Sequence, residues 1–400
     1  MASASNNVED VGMPPFATKM IRKLARHLRF EDYQISVGRG SFNGDNFLGE
    51  IFRVNISGRK VNKIMRTVNL IVKIAPKSMR LRRVLPVRRF FVREIQSHLY
   101  LFPALDDLQS SAHLPMEERF YFTTSYECVP NEHHEMIVIE DHSANGFQKY
   151  DRLKPLDYDH LQLCITNLAR FHATSFVLYS KDTETFQAVS SSFVQKLRSN
   201  DGTNSYFSRF VPPVVSLLDD QNDQNRIIRF VNSILNGRDP FSADETCPYN
   251  VLTHGDFWIN NLLFKYIEGK VTDMRVLDWQ TTRWASPIID IAYIIFTGTD
   301  QATRANHYEE MLNLYYKVLA RNITRMGSNI AVCYPEHVYR DQIKRMMPFG
   351  LQIAIFGLPI VLSEITDDTI NNNNEQGELS ENCKQRLKDI MLYFLRGNMI

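Results

Sequence analysis

The sequence is poor in cysteine and contains no paired cysteine motif. Its 400 residues include five cysteines, and no two of them form a Cys-x-x-Cys pair. Few and scattered thiols fit a reducing compartment better than a disulfide framework or a structural zinc site. The first residues, MASASNNVEDVGMPP, lack the apolar core of a secretory signal. We therefore expect a cytoplasmic protein with free thiols.

The sequence also lacks a strong net charge and an uninterrupted membrane-spanning run. Its formal net charge of +1 favours neither nucleic acid nor an anionic membrane as a partner. Residues 346–363 carry no charge, but Pro348 and Pro359 interrupt them, which predicts a buried helix or helix pair. The basic residues between 77 and 93 show no aromatics interleaved in an RNA-binding pattern and are interpreted as a solvated helix face. No obligate protein partner is predicted.

Strand-like and helix-like segments divide the sequence unequally. The first third is rich in short apolar runs of strand length, whereas helical periodicity dominates after Asp157. This distribution predicts an α+β fold with two lobes. The pattern breaks near residues 141–147, which predicts the boundary between the lobes. We therefore expect a flexible N-terminus at 1–17, a β-rich N-terminal lobe at 18–140 and a larger, mainly helical C-terminal lobe at 141–400.

The segment VLTHGDFWINN, residues 251–261, carries the most informative spacing. It places Asp256 five residues before Asn261, and the later segment VLDWQ adds Asp278. Kinase catalytic loops have the same spacing, in which the Asp accepts the proton of the substrate hydroxyl while the Asn and a later Asp hold magnesium. The sequence therefore predicts a phosphotransferase with Asp256 as the base and with Asn261 and Asp278 as the metal ligands.

A β-hairpin should bring the two predicted metal ligands together. Apolar runs at 262–267 and 271–277 flank a glycine-containing turn. If Gly269 and Lys270 form a type II′ turn, residue 261 faces residue 278. Directly opposed residues on paired strands lie about 5 Å apart, a distance that one cation bridges. Capping of the strand ends by Asn261 and Asp278 is the alternative interpretation.

Lys73 lies in the apolar run LIVKIA, where an unpaired ammonium is costly. A helix that begins near residue 87 places Glu94 on the same face as Phe91 and His98, so Glu94 points with the apolar stripe. In kinases a strand Lys contacts phosphates and is held by a helix Glu. We predict this pairing for Lys73 and Glu94. An edge strand that leaves the ammonium in water is the alternative.

Two further segments are candidates for nucleotide binding. The first is glycine-rich, and its backbone amides suit phosphate; the residues concerned are Gly38, Gly40, Ser41 and Gly44. It is not a Walker A loop, and a flexible hairpin turn is the alternative. The second is a strand end whose backbone groups would meet adenine, formed by Glu140, Asp141 and His142. A plain strand end explains this second segment equally well.

Aromatic residues near these motifs bear on the acceptor. They either line an apolar pocket or belong to the core, and they are Phe257, Trp258, Trp279 and Trp284. We expect an apolar acceptor, because the sequence shows no acidic pocket for a polycation. Asp290 lies in the apolar run IIDIAYII and is predicted to steady the loop around Asp256 through hydrogen bonds.

HGDFWINN followed by VLDWQ resembles the ecdysteroid kinase-like family, which is related to choline and aminoglycoside kinases and has the protein-kinase-like fold. The resemblance extends over residues 35–365. The functional residues of the family fall on five positions of this sequence, namely the base Asp256, the magnesium ligands Asn261 and Asp278, and the phosphate-contacting Lys73 with its partner Glu94. The resemblance also implies that residues 140–142 form the hinge to adenine, with ATP and Mg²⁺ as cofactors.

The resemblance implies an ATP-dependent kinase that acts on a hydroxyl of a small alcohol. Family members are similar to enzymes that phosphorylate an insect steroid hormone, so an ecdysteroid or a xenobiotic alcohol is the expected acceptor. The alternatives are a catalytically inactive binding protein with this fold and a choline- or aminoglycoside-type kinase with a polar acceptor. A protein kinase is disfavoured, because Gly255 replaces the Arg of His-Arg-Asp and neither Asp-Phe-Gly nor Ala-Pro-Glu follows.

Overall fold

The first 140 residues contribute a five-stranded antiparallel sheet with the strand order β1-β2-β3-β5-β4. Its strands are β1 (Phe30–Arg39), β2 (Glu50–Lys60), β3 (Met65–Ile74), β4 (Ser125–Val129) and β5 (Met136–Glu140). The computed structural model describes residues 12–40, 49–194, 208–236, 241, 246–362 and 379–400. Buried positions alternate along β2, so one face of the sheet is available for a core.

A helix, α1 (Pro15–His27), covers one face of this sheet. Its residues Ala17, Ile21 and Leu24 are buried and share the core of the strands. Their spacing of four and three residues places them on one helical stripe. The helix begins inside the segment 1–17 that was predicted to be flexible, because this stripe has the sheet as a packing partner.

Three helices connect β3 to β4. They are α2 (Met79–Val84), α3 (Val87–Gln96) and α4 (Phe102–Ser111), and a π-helical turn at Ser97–Leu101 joins the last two. The face predicted for α3 is buried, with Glu94 3% and His98 5% exposed. Helix α3 therefore presents a carboxylate toward the interior rather than toward solvent.

The remainder of the chain is mainly helical. Its helices are α5 (Tyr158–Lys181), α6 (Thr183–Val194), α7 (Val211–Val215), α8 (Gln221–Leu235), α9 (Ile288–Gly298), α10 (Gln301–Arg325), α11 (Ile330–Cys333), α12 (Glu336–Met346), α13 (Phe349–Val361) and α14 (Glu381–Arg396). Buried residues of α5, α9, α10 and α13 belong to one large hydrophobic core. The prediction of an α+β fold, β-rich at the N-terminus and mainly helical at the C-terminus, is confirmed.

Two small antiparallel sheets lie within the helical part. Their strands are β6 (Phe147–Lys149), β7 (Val251–Thr253), β8 (Leu262–Ile267), β9 (Lys270–Val276) and β10 (Arg283–Ala285). Strand β8 pairs with β6 and β9, and β7 pairs with β10. The chain passes from β5 to β6 through a short 3₁₀-helix at His142–Asn145, inside the segment where the sequence pattern breaks.

The β8–β9 hairpin is present, but its predicted register is wrong. The turn is formed by Glu268 and Gly269, with φ of 50° and 76°, and is therefore type I′ rather than type II′. The ladder also shifts after Lys265, so that Thr272 is an extra residue on β9. As a result Asn261 accepts a 2.8 Å backbone hydrogen bond from Leu277 and does not face residue 278.

The uncharged run that begins at residue 346 contains the end of α12 and the whole of α13. Leu351, Ile355 and Leu358 of α13 are fully buried in the large core. Of the predicted buried helix or helix pair, the structure shows the single buried helix α13. Within the described ranges, none of the helices combines the length and the hydropathy that crossing a bilayer requires.

The turn geometry predicts that Glu268→Asn stabilises the protein. Asn adopts positive φ at lower cost than Glu, and Asn-Gly is the favoured type I′ pair. We expect the free energy of unfolding to rise by about 1 kcal/mol, measured by urea denaturation. Glu268→Gln is the control, because it removes the charge and keeps the backbone strain. Equal stability of all three proteins would contradict the explanation.

Candidate functional site

Lys73 joins the sheet to the helical part of the chain. Its Nζ lies 2.6 Å from Oε2 of Glu94 on α3 and 2.7 Å from Oδ1 of Asp278, which follows β9. Burial alone lowers the pKa of Lys73, but the adjacent charges of Asp278 and Glu94 outweigh it and raise this pKa above its ordinary value. The ammonium is therefore retained between the two carboxylates.

Asp278 reaches this position because the backbone turns at the end of β9. Its φ of 63° is left-handed, a conformation that Asp tolerates better than most residues. The preceding Leu277 is fixed on both sides, since its N–H donates to Asn261 and its carbonyl accepts from Nε2 of His254 at 2.9 Å. The loop that contains Asp256 and the strand end that contains Asp278 are thereby held together.

Gly255 explains why this loop departs from His-Arg-Asp. Its φ is +81°, and a Cβ at this position would lie 2.5 Å from the carbonyl oxygen of Thr281. Any side chain at this position would clash with the backbone of Thr281. Thr281 in turn donates a 3.0 Å hydrogen bond to the carbonyl of His254. The loop is thus packed directly against the segment after Asp278.

Asp290 of α9 anchors the same loop. Its two carboxylate oxygens accept hydrogen bonds from the backbone N–H groups of His254 and Gly255 at 2.7 and 2.8 Å. Burial alone would raise the pKa of Asp290, but the hydrogen bond from His172 and the donors of the loop bring it below its ordinary value. The predicted hydrogen-bonded structural role of Asp290 is confirmed.

Asp256 lies half-buried at the front of this loop. Its Oδ2 accepts a 3.0 Å hydrogen bond from Nδ2 of Asn261, and its Oδ1 accepts a 2.6 Å hydrogen bond from the hydroxyl of Tyr293. Burial raises the pKa of Asp256, and the charge of Asp278 adds to this, while the two donors oppose it. The sequence reasoning missed Tyr293, although its position three residues after Asp290 places both side chains on one face of α9.

The donor atoms suit a hard divalent cation. Both side-chain hydrogen bonds of Asn261 to described residues use Nδ2, so its Oδ1 takes part in neither of them. Glu94 and Asp278 share the single ammonium of Lys73, which leaves an excess of negative charge. The described residues contain no cluster of three His, Cys, Asp or Glu side chains able to hold a metal. Magnesium suits a site of few protein ligands, because water and phosphate oxygens complete its shell.

Only part of the glycine-rich segment can be placed. Gly38 and Gly40 lie at the end of β1, and the N–H of Gly40 donates to the carbonyl of Ile51 at 2.8 Å. Ser41 and Gly44 lie outside the described residues. On the other side of the loop, a Cβ on Gly49 would lie 3.7 Å from Cγ of Lys73. The loop between β1 and β2 therefore ends beside the lysine.

The side chains of the predicted hinge are used within the protein. The Glu140 carboxylate accepts a 2.5 Å hydrogen bond from the hydroxyl of Tyr121, and the Asp141 carboxylate accepts one of 2.7 Å from Arg53. The ring of His142 forms a 3.0 Å hydrogen bond with Thr123. The backbone N–H groups of Glu140 and Asp141 donate to the carbonyls of Thr124 and Asn69. A nucleotide base would have to meet other backbone groups of this segment.

Most of the aromatic residues near the loop belong to the core. Phe257, Trp279 and Trp284 are at most 5% exposed, whereas Trp258 is partly exposed. Trp279 packs edge-on against His254 with ring centroids 4.7 Å apart. Phe257 and Trp279 therefore pack against the loop as part of the core.

A β-rich part with a buried Lys–Glu pair, joined to a helical part that carries an Asp–Asn loop and a second Asp, is the arrangement of a protein-kinase-like fold. The sequence model of the ecdysteroid kinase-like family matches residues 43–328, and the chain belongs to this family. Membership supports a small-molecule kinase and leaves the acceptor undefined. A comparison with curated protein sequences gives no match.

Solved structures of aminoglycoside phosphotransferases are similar to this chain at low sequence identity. A mutant of aminoglycoside 2′-phosphotransferase-IIIa in complex with GDP is 13% identical, with a TM-score of 0.47 and coverage of 96% of this chain and 99% of the other. The wild-type GDP complex is 14% identical, with a TM-score of 0.44 and coverage of 95% and 99%. At these values the matches indicate neither a nucleotide nor an acceptor for this chain.

The anchoring of the loop predicts a large effect of Asp290→Asn. The amide would turn a donor toward a backbone N–H and remove two charge-assisted hydrogen bonds. We expect the free energy of unfolding to fall by roughly 3 kcal/mol, measured by urea denaturation. Asp300→Asn is the matched control, because Asn caps α10 about as well as Asp does. Equal losses in both variants would show that Asp290 has no special anchoring role.

His98 predicts a pH dependence of stability. It lies in the π-helical turn after Glu94, and its Nδ1 is buried without a hydrogen-bond partner among the described residues. Burial, together with the charge of Lys73, lowers the pKa of His98 from 6.5 to about 3. The unfolded chain therefore binds a proton that the folded protein excludes, and stability is lost as the pH falls below about 6.5.

The measurement compares wild type with His98→Gln by urea denaturation between pH 7 and pH 5. For each unit by which the pH falls, the free energy of unfolding of the wild type should decrease by up to about 1.4 kcal/mol more than that of the variant. His27→Gln, at an exposed histidine of α1, should keep the wild-type slope. The interpretation is wrong if His98→Gln shows that slope as well.

Proposed function

We propose that the protein is an ATP-dependent kinase that transfers the γ-phosphate to a hydroxyl of a small, apolar alcohol such as an ecdysteroid or a xenobiotic. The observation that carries the proposal is the position of the Lys73 ammonium between Glu94 and Asp278. Family membership adds support. In this proposal residues 18–140 bind ATP, residues 141–400 bind the acceptor and carry the catalytic loop, and the protein acts in the cytoplasm.

Each polar residue of the site has one proposed role. Asp256 accepts the proton of the acceptor hydroxyl, since it is half-buried and lies near enough to Asp278 for their charges to interact. Asn261 and Asp278 would hold Mg²⁺, which when bound neutralises charge on the phosphates. Lys73, held by Glu94, contacts the phosphates of ATP. Catalysis is then mainly positioning and electrostatic stabilisation.

Nucleotide contacts complete the proposal. The backbone of the loop that begins at Gly38 and Gly40 covers the phosphates, with Ser41 and Gly44 as further members. The segment from Glu140 through Asp141 to His142 adjoins adenine through its backbone, since its side chains are engaged inside the protein. The position of Gly49 beside Lys73 supports the proposed phosphate contacts of the loop.

An apolar acceptor is preferred over a polycationic aminoglycoside. Next to Asp256, the ring of Tyr293 lies 6.5 Å from the ring of Phe349, and the guanidinium of Arg283 lies 5.6 Å from the same Phe349 ring. These surroundings are largely aromatic, and aromatic side chains suit an apolar ligand better than a polycation. An inactive binding protein is the competing proposal, and the intact set of polar residues counts against it.

Asp256→Asn tests the proposal. The amide keeps the shape and the hydrogen bond to Tyr293 but cannot accept a proton, so phosphoryl transfer should fall roughly 100- to 10,000-fold. Metabolite extract is incubated with MgATP and enzyme, and mass spectrometry follows any species that gains a phosphate. Asp219→Asn is the matched control. Asp219 is an exposed aspartate that pairs with Lys388, outside the candidate site, so this variant should transfer phosphate as the wild type does. Equal transfer by Asp256→Asn and wild type would remove Asp256 from its role.

A further inference from the structure

Asp256 is held by donors on both of its oxygens. Asn261 donates to Oδ2 at 3.0 Å, and Tyr293 donates to Oδ1 at 2.6 Å. A carboxylate offers about four lone-pair directions, so two remain after these contacts. Because each oxygen has its own donor, the carboxylate plane cannot rotate without breaking a hydrogen bond. The orientation of the remaining lone pairs is therefore fixed by two neighbours from different elements.

Helix α9 supplies one of those neighbours and also fixes the backbone. Asp290 binds the N–H groups of His254 and Gly255, and Tyr293, three residues later, binds the side chain of Asp256. Residues separated by three positions lie on one helical face. One face of α9 thus holds three consecutive residues of the loop, two by their backbone and one by its carboxylate.

The ring of Tyr293 is itself well placed for this contact. It is partly exposed, and its hydroxyl donates to Oδ1 of Asp256. Phe349 at the start of α13 packs against it in a T-shaped arrangement with centroids 6.5 Å apart. The backbone carbonyl of Tyr293 accepts a 2.7 Å hydrogen bond from Thr297. The ring of Tyr293 is thus held by Phe349 while its hydroxyl binds Asp256.

We propose that Tyr293 is a positioning residue for phosphoryl transfer: its hydroxyl holds the Asp256 carboxylate so that one lone pair faces the acceptor hydroxyl. The proposal rests on the proposed kinase function and deepens it. In this role Tyr293 neither transfers a proton nor forms a covalent bond. It acts on the reaction only through the orientation of Asp256, so its loss should affect turnover rather than nucleotide binding.

Tyr293→Phe tests the proposal, because it keeps the ring against Phe349 and removes only the hydroxyl. ADP formation from MgATP is measured with water and then with an ecdysteroid as the acceptor probe. We expect kcat to fall roughly 10- to 100-fold, in line with the loss of a hydrogen bond to a charged group, with an unchanged KM for ATP. Calorimetric binding of ATP and the melting temperature are recorded for the same proteins.

Tyr339→Phe is the matched control. Tyr339 is fully buried in the large core, and its hydroxyl donates to the carbonyl of Leu312 at 2.8 Å. Its variant should lose stability and keep the wild-type kcat. A Tyr293→Phe enzyme with the wild-type kcat overturns the positioning role and leaves the kinase function intact. A fall in kcat that comes only with an equal loss of ATP binding also overturns it. A wild type inactive with both acceptors overturns the kinase function and this role together.

Discussion

The structure depends on one buried ammonium shared by two carboxylates. Lys73 comes from the sheet, Glu94 from α3 and Asp278 from the end of the β8–β9 hairpin, so three separate elements meet at one charge. Removing one member of a buried ionic group leaves an uncompensated charge, at a cost of about 3–5 kcal/mol. The same arrangement carries more negative than positive charge. The ionic contacts hold the sheet against the helical part. The excess of negative charge favours a cation beside Asp278.

Around this centre, the loop from His254 to Asn261 is held by contacts that leave little freedom. Gly255 fits against Thr281 because it has no side chain, and Asp290 takes up the two N–H groups that the tight turn exposes. A further hydrogen bond from His172 keeps Asp290 ionised and oriented. Such a network costs no reorganisation during a reaction, which is the condition for electrostatic catalysis.

The sequence predicted contacts that follow from periodicity and short-range spacing. The apolar run around Lys73 indicated that its ammonium has a charged partner. The helical periodicity of α3 placed Glu94 on the buried face, and Glu94 is that partner. The hairpin was also predictable, but its register was not, since Glu268 adopts positive φ and Thr272 forms a bulge. Neither feature has a clear signal in a single sequence.

Other contacts could not be predicted because they join residues distant in sequence. Tyr293 meets Asp256 only after α9 packs behind the loop, and Asp141 of the predicted hinge pairs with Arg53 of β2. The central claim is tested most directly by a crystal structure with Mn²⁺ and a non-hydrolysable ATP analogue. The account predicts anomalous density for the metal between Oδ1 of Asn261 and the Asp278 carboxylate, with the phosphates beside Lys73. Metal and phosphates bound away from these three side chains would contradict it.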